Sequence, residues 1–211
     1  MWRSQTNLLF ICQNKRITFL QTTMNGFRKY ILLFLIVIGI RLQAEDALPP
    51  APTGFTWQHL TPIKSAVLRP DGWFYKQSTK ANTQGFYVSK EDIDKLGFFK
   101  TGLTLDCIRN ISKITKLSPS LYAAQMADAA ASKFPLLERS SSTQGPFKAI
   151  RFNYVSSSTN QEDIRICQLL IANDKTDTLF IVIFESPTSE WQESWKKGEV
   201  ILKKLLIDDG I

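Results

Sequence analysis

The side chains able to do chemistry in this chain are few and scattered. His59 is the only histidine. Nucleophilic catalysis sets a histidine beside a nucleophile and an orienting acid, and a metal site gathers several His, Cys or carboxylate ligands. No such partner motif flanks His59, which lies two residues from Trp57, and a surface or half-buried role is expected for it. Glu91, Asp92 and Asp94 form a small acidic group. Hard cations such as calcium take oxygen ligands, but this spacing does not follow an EF-hand loop, and acids at the start of a helix are accounted for by its dipole. The glycines follow neither a Walker nor a dinucleotide pattern. The expectation is therefore no catalytic residue, no metal and no cofactor.

Two cysteines, Cys107 and Cys167, lie in the C-terminal three quarters of the chain. In an oxidising compartment they pair if their Cα atoms come within about 7 Å; otherwise they are small buried apolar side chains. Both readings stay open at the level of sequence. Asn110-Ile111-Ser112 matches a glycosylation sequon, but it falls inside a predicted strand and reads as a chance match. The aromatic residues Trp57, Trp73, Phe74, Tyr75, Phe86, Tyr87, Phe98 and Phe99 are more informative. Strand alternation turns about half of such a set into the core. The other half faces a helix, solvent or a partner, and an exposed aromatic patch marks a binding surface. Trp57, Trp73, Tyr75 and Tyr87 are the candidates for that surface.

Upstream of these residues the chain reads as an address. Ile31 to Ile40 is an unbroken apolar run, preceded by Arg28-Lys29 and followed by Arg41-Leu42-Gln43-Ala44. A basic start, a short apolar stretch and a small residue at the exit predict a signal peptide over 24–44, cleaved after Ala44. The run is shorter than the roughly 20 apolar residues of a membrane span; retention as an anchor is the alternative. Met24 would open an ordinary signal, which makes residues 1–23 an upstream extension or a mis-assigned start. The protein is thus expected to work in the periplasm or outside the cell. Its formal charge is +7, yet Arg3, Lys15, Arg16, Arg28, Lys29 and Arg41 precede the first acid, Glu45, and carry all but one unit of the excess. The remainder is nearly neutral, which argues against nucleic acid as a partner.

Residues 45–54 form a Pro-rich spacer and 55–211 one domain of ordinary size. Within it, Ser65–Pro70, Trp73–Gln77 and Gly85–Val88 read as strands, with Pro70-Asp71-Gly72 as a turn. Ser89 is the expected cap of a short helix that stops at Gly97. A longer strand lies between Phe99 and Ser112. Ser118-Pro119 opens a helix running to Phe134, with Tyr122, Met126, Ala129 and Ala130 on its apolar face. Phe147–Val155, Ile164–Ala172 and Thr178–Phe184 are strands, the last so continuously apolar that it belongs at the centre of a sheet covered on both faces. In the final helix Trp191, Trp195, Gly198, Leu202 and Leu205 form one stripe; a close approach to the sheet would explain the glycine. Segregated strands and helices of this order predict an α+β fold with an antiparallel sheet between helices.

Val67-Leu68-Arg69-Pro70-Asp71-Gly72-Trp73, Gly85-Phe86-Tyr87-Val88-Ser89-Lys90-Glu91 and Phe98-Phe99-Lys100-Thr101-Gly102-Leu103-Thr104-Leu105 resemble the PsbP-like family. That resemblance implies the Mog1/PsbP α/β/α sandwich. It also implies a non-enzymatic binding or assembly module that engages a protein or a membrane-associated complex, with peripheral membrane association as one form. Two alternatives go with it: a carrier holding a small ligand or lipid in an apolar cavity between sheet and helix, and an extrinsic photosystem II-type subunit. The resembling residues are those of strands and turns, which specify a fold before they specify a site.

Overall fold

In the computed structural model, residues 48–157 and 162–211 are described. The expected signal segment, the start at Met24 and cleavage after Ala44 lie outside these residues. The chain enters through β1 (Phe55–Leu60), a short 3-10 turn and β2 (Ser65–Pro70), which pair as an antiparallel ribbon. Then follow β3 (Phe74–Lys80), β4 (Thr83–Ser89), α1 (Ile93–Leu96), β5 (Gly102–Arg109), α2 (Ile111–Thr115) and α3 (Pro119–Lys133). The remainder is β6 (Glu138–Gln144), β7 (Phe147–Ser156), β8 (Ile164–Asn173), β9 (Thr178–Pro187) and α4 (Trp191–Lys203). Seven strands form one sheet in the order β3-β4-β5-β9-β8-β7-β6, every neighbouring pair antiparallel.

The apolar strand of the sequence, β9, is the middle strand of the seven. Its alternation feeds two cores. Phe180, Val182 and Phe184 point to one face, where they meet α4 and the β1-β2 ribbon; Leu179 and Ile181 point to the other, toward α2 and α3. Helices therefore lie on both faces of a central antiparallel sheet, the α+β sandwich expected from the sequence. Of the predicted stripe, Trp191, Gly198 and Leu202 are buried on α4 with Trp195 half-buried at its edge, while Leu205 is buried just beyond the helix, which ends at Lys203. Gly198 is where that helix touches the sheet: a Cβ there would stand 2.7 Å from the Phe184 ring. On α3 the buried line is Ala123 and Ala127 flanked by Tyr122, Met126 and Ala130, while Ala129 is exposed.

Local chemistry sets several boundaries differently from the sequence reading. Asp92, not Ser89, caps α1, accepting the Asp94 N–H at 3.1 Å; Ser89 instead donates its hydroxyl to the Glu91 carbonyl. Ser118 caps α3 as expected. The β8–β9 hairpin turn does more than reverse the chain. Asp174 accepts both the N–H and the hydroxyl of Ser120, at 2.8 and 2.7 Å, and Asp177 does the same for Ser112. One turn thus ties down the first turns of α2 and α3, satisfying donors that a helix start leaves open. Asn110 follows the end of β5 with a positive φ and occupies the N-cap position of α2, so the sequon lies at the start of that helix rather than within a strand.

Candidate functional site

Helix α3 packs on β7, β8 and β9. On the same face the β3-β4-β5 side of the sheet is roofed by α1 and the loop after it. Between loop and sheet lies an open groove of about 430 Å³, lined by Lys76, Ser78, Tyr87, Ile93, Gly97, Phe98, Phe99 and Glu185. Alternation decides which side chains form its floor. Phe86 and Val88 enter the α4-side core, so Tyr87 faces the groove; Leu103, Leu105 and Cys107 do the same on β5, so Thr104 and Asp106 face it. Lys76 and Ser78 follow from the pairing of β3 with β4.

The rim is built by backbone geometry. Gly97 ends α1 at φ +76°, a conformation that favours glycine, and turns the chain back over the sheet. Gly102 leaves no room for a side chain: a Cβ would stand 2.7 Å from the Val88 carbonyl and 2.9 Å from Phe99 Cε2. The Phe99 ring occupies that space, while Phe98 stays 56 % exposed beside it. On the floor, Gly85 opens a bare patch around which three polar atoms converge. A Cβ there would lie 2.9 Å from Ser78 Oγ, 3.0 Å from Asp106 Oδ1 and 3.0 Å from the Tyr87 hydroxyl. Burial alone pushes the carboxyls of Asp106 and Glu185 above their usual range. Neither has a hydrogen-bond or ion-pair partner among the described residues. Lys76 is already held by Asp94 at 2.7 Å.

The two carboxylates do not form a catalytic pair. Asp106 lies opposite Ile181, four residues along β9 from Glu185, which is about 13 Å at the rise of a strand. Carboxylates that work together on one glycosidic bond stand about 5–9.5 Å apart. The groove offers carboxylate acceptors, the hydroxyls of Ser78 and Tyr87, and apolar surface.

The residues singled out from sequence separate. Trp73 is buried in the α4-side core with Lys197 Nζ 5.4 Å over its ring, and Trp57 and Tyr75 pack against the same core. Tyr87 alone of the four lies on the opposite face, in the groove. They do not make one surface. Cys107 and Cys167 are free, buried thiols. Both face the α4 side, but they sit on β5 and β8 with β9 between, opposite Phe180 and Phe184 respectively. The disulfide is therefore not formed, because the intervening strand holds the pair apart. His59 is exposed on β1. The acidic group is spent on protein contacts: Glu91 accepts the N–H groups of Lys100 and Thr101, Asp92 caps α1, and Asp94 holds Lys76. No group of side chains suited to a metal occurs among the described residues.

Asp106 and Glu185 went unnoticed in the sequence. Their signal was a lone carboxylate interrupting an apolar strand, in Leu105-Asp106-Cys107 and Phe184-Glu185-Ser186.

No protein-family model matches the chain, and no curated protein sequence does. Solved structures resemble it. The cyanobacterial PsbP of Synechocystis does so at 8% identity and a TM-score of 0.47, over 75% of this chain and 95% of that one. The Saccharomyces cerevisiae Ran-binding protein Mog1p does so at 11% and 0.47, over 72% and 95%. LpqN of Mycobacterium tuberculosis, involved in cell envelope biogenesis, does so at 16% and 0.45, over 72% and 90%. At identities of this order the likeness is one of fold.

Proposed function

We propose that this chain is an exported, non-enzymatic binding module whose working surface is the groove between the α1 loop and the sheet, and whose partner is a protein, free or part of a membrane-associated complex. The observation that carries the reading is the groove itself: a concave site with an aromatic rim and unpaired polar groups on a sheet face that α3 leaves open. Binding sites combine apolar walls with a few placed polar groups in this way. The apolar run at Ile31–Ile40 with its basic flank supports export. A lipid carrier would need an enclosed apolar space between sheet and helix; this groove is open and has carboxylates at its floor and edge, which favours a polar, protein occupant. The test is capture of partners from the exported fraction of the native cell with the protein and with a Tyr87→Ala, Phe98→Ala double variant as bait. A partner retained equally by both baits would place binding elsewhere.

A further inference from the structure

The groove's charge is unbalanced in one direction. Asp106 and Glu185 project from β5 and β9 onto the same open face, each partly buried and each without a partner among the described residues. The lysine in the lining, Lys76, is neutralised by Asp94 at 2.7 Å. The positive charge that would balance the two carboxylates is therefore absent from the groove's own residues. Its walls are apolar and aromatic: Ile93, Phe98, Phe99 and the ring of Tyr87.

An anionic occupant would be repelled by both carboxylates. A purely apolar one would strip them of water with nothing in return, a costly exchange. The occupant that satisfies both halves of the site is a cation on an apolar stem. A guanidinium suits it better than an ammonium. Its planar fork donates to carboxylates in pairs, it stacks on aromatic faces, and it sheds water more readily.

We infer that the groove receives an arginine side chain presented by the protein partner, the methylene stem lying along Phe98 and Phe99 and the guanidinium reaching Glu185, the carboxylate in the lining, while Asp106 farther along the same face adds its negative field. The inference rests on the reading of the groove as the binding surface and adds the chemistry of what fills it.

Three small probes separate the two ideas: n-butylguanidinium, the neutral n-butylurea and the anionic n-pentanoate, each titrated into the isotope-labelled protein and followed by amide NMR. The expected result is saturable shifts from n-butylguanidinium at residues of β3, β4, β5 and the 97–102 loop. The neutral and anionic probes should bind at least about tenfold more weakly, which is the worth of one charge-assisted hydrogen bond. Asp106→Asn and Glu185→Gln, which keep side-chain shape, should each reduce n-butylguanidinium affinity while leaving amide shifts outside the groove unchanged. Equal or tighter binding of n-butylurea or n-pentanoate at the groove would overturn the arginine inference and leave the groove as a binding surface. No shift at the groove with any probe would overturn both.

Discussion

Gly198 of α4 and Phe184 of β9 stand in direct contact, the glycine's missing Cβ replaced by the edge of a ring. A methyl group on Gly198 would lie 2.7 Å from Phe184 Cζ and 2.8 Å from Cε1 and Cε2. The ring cannot retreat easily, because it is fully buried and meets Trp191 and Trp195 edge-on at 5.8 and 5.7 Å. Gly198→Ala gains about 1 kcal/mol of helix propensity and incurs an overpacking cost of about 1–3 kcal/mol. A net loss of up to about 2 kcal/mol is expected in urea unfolding. Adding Phe184→Leu should cost less in this background than alone, and strict additivity would show that the ring is not the obstacle.

The unpaired carboxylates give a pH signature of definite sign. Burial raises the pKa of Asp106 and Glu185 in the folded chain. A raised carboxyl binds its proton more tightly when folded, so its contribution to stability is full below the unfolded pKa and is lost as pH rises through the folded one. Asp106→Asn and Glu185→Gln should therefore increase the melting temperature at pH 7. That advantage should shrink on acidification toward pH 4. Asp174 and Asp92 are shifted downward and act in the opposite sense, which is why the variant-minus-parent difference is the quantity to measure. An advantage that grew with acid would contradict the assignment.

Burial pushes the Cys107 thiol to about 11, and Cys167 is raised for the same reason. The thiolate is the reactive form, so neither cysteine should react with a thiol-specific reagent at pH 8 in the folded protein. Both should react in denaturant without prior reduction. A requirement for reductant would show the two sulfurs bonded.

Asp174 tests whether the β8–β9 turn anchors α3. It takes the Ser120 N–H and hydroxyl as well as Lys148 Nζ at 2.9 Å. Asp174→Ala should cost about 1 kcal/mol, the worth of a helix cap, and should speed hydrogen exchange at the start of α3 before other regions. Uniform acceleration across the sheet would mean that the contact is not local.

What the sequence disclosed follows from how each element is buried. β9 was legible because both of its faces are covered, and α4 because one stripe of it is. β6 was not foreseen: Glu138-Arg139-Ser140-Ser141-Ser142-Thr143-Gln144 is an edge strand with almost every side chain in solvent, defined only by its pairing with β7. β1 was missed as well, since Thr56 and His59 are exposed and only Leu60 is fully buried. The groove could not be read at all, because Lys76, Tyr87, Asp106 and Glu185 come from four strands whose order is not sequential. The same ordering, β5-β9-β8, is what parts Cys107 from Cys167.

On α4, Trp191 and Trp195 lie face to face, centroids 5.0 Å apart and planes 10° from parallel, with Arg165 and Arg151 at 4.9 and 5.3 Å beyond their outer faces. Two parallel indoles this close share their electronic excitation, and each guanidinium shifts the energy of the ring it covers. The pair is a chromophore in its own right. Arg151, Arg165 and Phe184 belong to the sheet, so lifting α4 strips the pair of both guanidiniums and exposes it to water, and its fluorescence becomes an intrinsic gauge of whether the last helix is seated.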